Sequence, residues 1–361
     1  MEKKRVLVGM SGGVDSAAAA VLLQRAGLEA VGCTLRLYDN EDVGAGQEGS
    51  CCSLEDVEDA RSVARLLGMD FFVFNFSRLF RETVMDEFVE AYQAGRTPNP
   101  CIQCNRHVKF AALLRRADEL GIDYIATGHY ARVAWDEAVG RWQLLQGRDR
   151  RKDQSYVLYP LTQEQLSRLL LPVGDYDKAA IRSVAEAAGF VNAHKRDSQD
   201  ICFVPDGDYA AFLCRYGGVE LVPGNFVDRT GRVLGRHKGL PCYTTGQRRG
   251  LGVSADRPLY VLSKDSRTNT VVLGDEEALY SRTVWAEGFH WVSLPPQDRP
   301  LEVTAKTRYS QSEAEGVLYP EGDGLVRMVF SQPQRAVTAG QSLVCYQGEA
   351  VVGGGTICRA E

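Results

Sequence analysis

The chain has 361 residues, 44% hydrophobic and 25% charged, with a formal net charge of −5. The length exceeds one simple core and predicts two or three domains, while the composition is that of an ordinary globular protein without an apolar stretch of bilayer-spanning length. The acidic balance excludes a generally basic RNA-coating surface, so any nucleic-acid contact must come from local patches.

The charged start, Met1-Glu2-Lys3-Lys4-Arg5, leads into a short core strand over residues 5–9, not into the apolar segment of a secretory signal. With no membrane span either, the expected location is cytoplasmic. An Ala-rich helix is predicted over 17–24. Between strand and helix lies Ser11-Gly12-Gly13-Val14-Asp15-Ser16. Glycines let the backbone approach an anion, and the helix start offers unpaired N–H groups and a positive dipole end. Ser11 and Ser16 add hydroxyls, and Asp15 is suited to hold Mg2+ against phosphates. Neither G-x-x-x-x-G-K-[ST] nor G-x-G-x-x-G is present.

Further strands are predicted over 30–37, 71–76 and 124–127, with the run Phe71-Phe72-Val73-Phe74 as strand core. Helices are expected between them. One opens at Cys51-Cys52 with the capping-box pattern Ser53-Leu54-Glu55-Asp56 and stops at Gly68. Others run over 80–94 and 105–120, then over 163–170 and 178–188. Such alternation predicts an α/β, doubly wound parallel sheet with ligands at the carboxyl ends of its strands. After Pro205 the texture changes to Gly, Pro and β-branched residues. Residues 206–279 read as a small mixed module with a helix near 209–216. Short strands over 301–307, 315–318, 325–330, 342–346 and 350–357 read as a C-terminal antiparallel β-barrel. The expected domains are 1–205, 206–280 and 281–361.

Ten cysteines at irregular spacing in so large a chain do not read as a secreted disulfide framework. Cys33, Cys214, Cys345 and Cys358 lie in apolar runs and are expected to be buried and inert. Thr97-Pro98-Asn99-Pro100-Cys101-Ile102-Gln103-Cys104-Asn105 reads differently. Its prolines delay the helix to about Asn105, which sets Cys104 near a helix N-terminus, where the dipole favours a thiolate. Arg106, His107 and Lys109 follow it closely. Cys202 lies in Asp197-Ser198-Gln199-Asp200-Ile201-Cys202-Phe203. The alternatives for such spacing are structural zinc, for which no fourth ligand is evident, and a thioredoxin-like redox motif, which the two prolines and the nucleotide loop fit poorly. His194, His237 and His290 are scattered without ligand spacing.

From Arg229 to Arg249 there are six Lys/Arg and no Asp/Glu, a local patch able to follow a phosphate backbone. Tyr243 and Gln247 within it offer stacking and polar contacts. A second basic loop carries Arg148, Arg150 and Arg151.

The Ser-Gly-Gly-Val-Asp-Ser loop resembles that of ATP-pyrophosphatases, which release pyrophosphate and leave AMP on a carbonyl oxygen. That loop, Pro-Asn-Pro-x-x-x-Cys-Asn, Thr127-Gly128-His129-Tyr130, Lys152-Asp153-Gln154-Ser155-Tyr156, the Cys202 segment and Thr245-Gly246-Gln247-Arg248 together resemble the bacterial tRNA-specific 2-thiouridylase family, in order over nearly the whole chain. The resemblance implies an adenine nucleotide alpha-hydrolase-like catalytic domain and ATP-dependent 2-thiolation of the wobble uridine in Lys, Glu and Gln tRNAs. It implies ATP contacts at Gly9, Met10, Ser11, Gly12, Gly13, Val14, Asp15, Ser16, Leu35 and Gly128. Asn99, Pro100 and Cys101 would meet the target base. His129, Lys152, Asp153, Gln154, Arg308, Tyr309 and Gln341 would contact tRNA, joined by Arg248 and Arg249 of the basic patch. Cys104 would be the nucleophile and Cys202 the persulfide carrier, leaving a Cys104–Cys202 disulfide. The sulfur donor is expected to be a cysteine desulfurase, a relay protein or sulfide.

Well-known members carry Asp where this chain has Cys101. Cys101, Cys104 and Cys202 then form a triad able to hold a [4Fe–4S] cluster with one iron open to sulfide, so persulfide and cluster both stand as sulfur sources. Rival readings are an ATP-pyrophosphatase of amidotransferase type, which would have no use for the three cysteines, and a non-enzymatic RNA-binding module with a relic nucleotide fold.

Overall fold

The computed structural model describes residues 3–43, 54–190, 192, 193, 195 and 201–361. The predicted Ser53 capping box, Cys51-Cys52, His194 and residues 197–200 lie outside them.

Five parallel strands form the first sheet: β1 (Arg5–Gly9), β2 (Glu29–Arg36), β3 (Phe71–Asn75), β4 (Tyr124–Thr127) and β7 (Leu169–Leu170), in the order β3-β2-β1-β4-β7. Strand order reverses between β1 and β4, which opens a crevice at their carboxyl ends. Helix α1 (Val14–Arg25) leaves β1 directly, and α2 (Leu54–Leu66) follows β2. Helix α3 joins Ser77–Phe80, a π-helical turn Arg81–Met85 and Asp86–Gln93. Helix α4 joins Pro100–Gln103, a π-helical stretch Cys104–Ala112 and Leu113–Glu119. Helix α5 (Lys178–Ala187) packs on α1, where the side chains of Ala18 and Ala19 are small enough to let Ile181 and Val173 close in.

Two strands absent from the sequence reading, β5 (Ala131–Asp136) and β6 (Arg141–Gln146), form a hairpin that leaves this sheet and joins the C-terminal one. The central region, introduced by α6 (Tyr209–Gly217), is a four-stranded sheet of β8 (Gly224–Val227), β9 (Val233–His237), β10 (Tyr260–Asp265) and β11 (Thr270–Gly274). The barrel comprises β12 (Tyr280–Trp291), β13 (Leu301–Lys306), β14 (Ala314–Gly322), β15 (Leu325–Arg335), β16 (Ser342–Gln347) and β17 (Ala350–Ala360). It runs β12-β15-β14-β13-β16-β17, and β17 pairs back to β12 to close it. No helix among the described residues is long and apolar enough to cross a membrane.

Four local expectations are corrected. The helix expected from Asn105 begins at Pro100, because proline at the first helical position loses no hydrogen bond and already has the right φ. The helix expected over 163–170 ends at Ser167, and Leu169–Leu170 extend the sheet instead. The aromatic run at 71–74 is an edge strand, not core: Phe72 is 39% and Val73 44% exposed. Of the four cysteines expected to be inert, Cys33 and Cys345 are buried, whereas Cys214 and Cys358 are exposed.

Candidate functional site

The nucleotide loop sits at the β1/β4 crevice. The Met10 N–H donates to the Cys33 carbonyl at 2.7 Å, and the Thr34 hydroxyl donates to the Met10 carbonyl at 2.8 Å, pinning the loop to β2. Ser16 Oγ donates to the Gly13 carbonyl at 3.1 Å and accepts from the Ser11 N–H at 3.2 Å. Gly12 has φ +73°, and a Cβ there would lie 2.6 Å from the Asp56 carbonyl oxygen. Gly128, after β4, lies so close to α1 that a Cβ would come within 2.7 Å of the Ser16 nitrogen. Only glycine fits either place. Val14 and Ser16 are buried, Gly9 and Leu35 half-buried, and Ser11 faces solvent.

Three neighbours of this loop escaped the sequence reading. Asn192 donates to the Gly12 carbonyl at 2.8 Å, and its own Oδ1 is buried without a partner. Lys178 Nζ lies 2.8 Å from both carboxylate oxygens of Asp15, and the Tyr130 hydroxyl donates to Oδ1 at 2.7 Å. Tyr130 belongs to a quoted motif, and Lys178 opens a predicted helix, but nothing in the linear pattern pairs either with Asp15.

The cysteine segment is built differently. Asn99 caps α4, its Oδ1 accepting from the Cys101 N–H at 3.2 Å. Cys101, exposed, therefore occupies the helix N-terminus expected for Cys104. Cys104 is only 6% exposed and shares one apolar cluster with Cys202, Phe80, Phe88 and Phe203. Phe203 meets Phe80 and Phe88 edge-on at 5.7 and 5.3 Å, and the Tyr38 hydroxyl donates to the Cys202 carbonyl at 2.7 Å. Aromatic packing thus brings Cys202 to the wall that holds Cys104. Between the two cysteines of α4, Gln103 donates to Glu87, whose carboxyl is held above its usual pKa by burial. Burial, then the Arg106 charge, lowers the His107 pKa.

Helix α4 connects the two centres. Phe110, roughly 9 Å along the helix from Cys104 at 1.5 Å per residue, lies 5.7 Å from the His129 ring at a tilt of 39°. Leu113 lies under Gly9. His129 Nδ1 shares a 2.7 Å hydrogen bond with Thr127 Oγ1. Burial, then the Lys109 charge, pushes the His129 pKa down to about 3, so the ring is neutral near pH 7.

The barrel reaches back onto the cysteine segment. The Thr97 N–H donates to the Ala339 carbonyl at 3.0 Å, and Gln341 Nε2 donates to the Thr97 and Pro98 carbonyls at 2.9 and 3.4 Å. Arg308 donates to the carbonyls of Ala336 and of Thr245 in the central region, the latter at 3.1 Å. Tyr309 is 41% exposed and stands 5.9 Å from the Tyr156 ring. Its pKa is raised by burial and then by the charges of Asp153 and Cys101, which lie nearby. Asp153 is buried and accepts from the N–H groups of Gly147 and Ser155 and the Ser155 hydroxyl at 2.9, 3.1 and 2.8 Å; burial raises its pKa. Gln154 brackets Tyr130 through two hydrogen bonds of 2.8 and 2.9 Å. Lys152 is half-buried, and Arg248 and Arg249 are exposed. Tyr243 is 4% exposed and packs edge-on against Phe226, so it cannot stack a base. His237 and His290 are hydrogen-bonded to backbone carbonyls at 3.1 and 3.0 Å.

Asn99, Pro100, Cys101, Asp153, Tyr309 and Gln341 are therefore gathered around one segment, while Arg248 and Arg249 are exposed on the central region. Among the described residues, no three His, Cys, Asp or Glu side chains converge as a metal site, so Cys101, Cys104 and Cys202 are not an assembled cluster-ligand set.

A family profile described as a tRNA methyl transferase HUP domain matches residues 4–206. A PRC-barrel domain of the same group matches 210–275, and an aminomethyltransferase beta-barrel domain matches 281–357. The tRNA-specific 2-thiouridylase MnmA of Acetivibrio thermocellus is 49% identical over 99% of this chain and 100% of its own length. The protein of that name from Moorella thermoacetica is 49% identical over 97% and 98%, and that from Clostridioides difficile 46% over 98% of each. A solved 4-thiouridine synthetase–RNA complex with bound ATP covers 56% of this chain and 45% of its own, at 18% identity and a TM-score of 0.37, too low to carry an argument.

Proposed function

The chain belongs to the tRNA-specific 2-thiouridylase family, and from that premise we propose that it replaces the 2-oxygen of the wobble uridine in Lys, Glu and Gln tRNAs by sulfur, using ATP. The observation that carries this reading is helix α4, which bears Cys104 near one end and sets Phe110 beside His129 and Leu113 beside Gly9 of the nucleotide loop. One rigid element thus spans an anion cradle and a thiol.

A uracil C2 carbonyl is amide-like, and its oxygen leaves poorly. The loop from Gly9 to Ser16, with Leu35 and Gly128, holds ATP with its α-phosphorus towards a flipped-out base. Uridine O2 attacks that phosphorus, and the bond to the β-phosphate oxygen breaks, releasing pyrophosphate. A magnesium ion would neutralise the phosphates, and a single carboxylate at Asp15 fits it, since Mg2+ takes one or two carboxylates plus substrate oxygens.

Sulfur comes from a persulfide on Cys202. Its terminal sulfur attacks C2, and the C2–O bond breaks to release AMP. The Cys104 thiolate then attacks Cys202 Sγ, and the sulfur–sulfur electron pair stays on the base as C2=S. A Cys104–Cys202 disulfide remains, which a thiol reductant must open and a sulfane-sulfur donor recharge. The shared apolar cluster of Cys104 and Cys202 supports this pairing. The [4Fe–4S] alternative does not fit the present placement of Cys101, Cys104 and Cys202, and no step is routed through it.

Asn99, Pro100 and Cys101 meet the target base. His129 contacts tRNA as a neutral hydrogen-bonding ring. Lys152 and Tyr309 face the RNA, and Arg248 and Arg249 take its backbone. Asp153, Gln154, Arg308 and Gln341 spend their visible hydrogen bonds within the protein, so we assign them to shaping that surface. The working units are 1–205 for catalysis, 206–280 for tRNA and 281–361 for the barrel.

The test incubates the protein with ATP, tRNA and a persulfide donor, followed by mass analysis of the nucleosides. The reading expects 2-thiouridine with one AMP and one pyrophosphate per base. Pyrophosphate with an amine-substituted nucleoside would favour an amidotransferase, and no pyrophosphate at all would favour a relic RNA-binding module. Iron-free protein that still thiolates would end the cluster route.

A further inference from the structure

The nucleotide loop carries no cation of its own. Where G-K-[ST] loops supply a lysine, Ser11-Gly12-Gly13-Val14-Asp15-Ser16 supplies only an acid. A triphosphate brings several negative charges to this place, and backbone N–H groups alone must balance them unless a cation arrives from elsewhere in the chain. Lys195 is bound by two carboxylates from outside the loop, Asp56 and Asp59, at 2.7 Å each. Lys178 is different. It opens helix α5, its Nζ is 2.8 Å from both oxygens of Asp15, and its side chain is 12% exposed against 29% for Asp15. Asp15 lies in the first turn of α1, so the ammonium stands at the mouth of the cradle. The Asp177 cap, whose Oδ1 accepts from the Ala180 N–H at 2.8 Å, fixes where α5 begins. Close packing of α5 on Ala18 and Ala19 fixes how near it comes.

Resting on the proposed function, we propose that Lys178 is the phosphate-binding cation of this site. Without nucleotide it neutralises Asp15. When Mg-ATP binds, the Asp15 carboxylate would hold the metal from its present place, and the lysine's flexible stem carries its ammonium to the β- and γ-phosphates. During adenylation the electron pair of the breaking bond moves onto the pyrophosphate oxygen, and Lys178 stabilises that charge. It is a catalytic residue in the sense that it touches the leaving group. Tyr130, donating to Asp15 and lying 5.8 Å from Lys178 Nζ by its ring, is the positioning residue that keeps the carboxylate in place while the lysine moves.

The test compares wild type, Lys178→Met and Lys178→Arg for tRNA-dependent pyrophosphate release, inhibition by inorganic pyrophosphate, tRNA affinity and thermal midpoint. Lys178→Met should lower kcat about 100-fold, the size seen when one charge-stabilising donor is lost. It should also weaken pyrophosphate inhibition roughly tenfold, the order of one charge-assisted contact, and leave tRNA affinity unchanged. Lys178→Arg should recover part of both losses. A Met variant with normal kcat and normal pyrophosphate inhibition overturns the proposal, as does one that only melts earlier. Should Lys178→Met fail to fold, Mg-pyrophosphate should change the acylation rate of native Lys178, read by peptide mass, and an unchanged rate overturns the proposal. A wild type that releases no pyrophosphate would instead defeat the function on which the proposal rests.

Discussion

The two reactive regions are built on opposite plans. The nucleotide loop is local: one strand, one turn and one helix start, consecutive in sequence, make most of the cradle. The cysteine region is assembled. Cys104 comes from α4, Cys202 from a segment about 100 residues later, and the backbone of Thr97 and Pro98 is held by Gln341 of the barrel, 244 and 243 positions away. A mostly local site keeps its backbone shape from its own residues and borrows only single side chains from afar, such as Asn192 and Lys178. An assembled site depends on domain docking and can lose its geometry while every reactive residue is intact.

That contrast predicts which variants separate the two half-reactions. The largest effect should come from Gly128→Ala, whose Cβ would press within 2.7 Å of the Ser16 backbone. Pyrophosphate release should fall about 100-fold, in keeping with misplacement of a reacting group by an ångström, while tRNA affinity in a filter-binding titration stays unchanged. Equal loss of tRNA binding would show that the loop is less self-contained than its sequence suggests.

Charge reversal at Arg248 and Arg249 addresses the distributed side. Both are exposed and belong to the central region, not to the nucleotide domain. The double variant should bind tRNA at least about tenfold more weakly, with a shallower salt dependence, as expected when two phosphate contacts are lost. ATP binding should not change, and unchanged tRNA affinity at moderate salt would remove this patch from the interface. Gln341→Ala should act more subtly. It removes the barrel's side-chain hold on Thr97, a loss of about 1 kcal/mol, and should slow sulfur transfer several-fold without altering the KM for ATP. A change confined to ATP kinetics would contradict the assignment of that contact to the cysteine region.

The smallest effect concerns pH. Because the His129 pKa is pushed from 6.5 down to about 3, the unfolded chain binds more protons than the folded one between those values. His129 therefore contributes stability that is complete above pH 6.5 and is lost as pH falls towards 3. Its imidazole resonances should not titrate between pH 5 and 8, and a midpoint near 6.5 would show the ring to be solvated.

The same contrast explains what could be read before the fold was known. Strand β1, the loop and the parallel sheet were legible because period, turn and helix start all occur within a few neighbouring residues. The cysteine helix was misplaced because two prolines look like helix breakers, although Pro100 occupies the one helical position that favours proline. The exposed face of β3 was hidden because edge and central strands share the same apolar run. The β5–β6 hairpin and the barrel-closing strand β12 were missed, since their pairing partners lie in distant sequence. Lys178 was missed for the same reason: its bond to Asp15 spans 163 positions.

The account stands or falls on whether the nucleotide loop and Cys104 serve one base in succession. The most direct measurement is a single-turnover reaction of Cys104→Ser with ATP, tRNA and a persulfide donor, following pyrophosphate and tRNA nucleosides together. Pyrophosphate should appear at the wild-type rate while 2-thiouridine stays undetectable. Normal 2-thiouridine formation, or loss of pyrophosphate along with it, would contradict the division of labour described above.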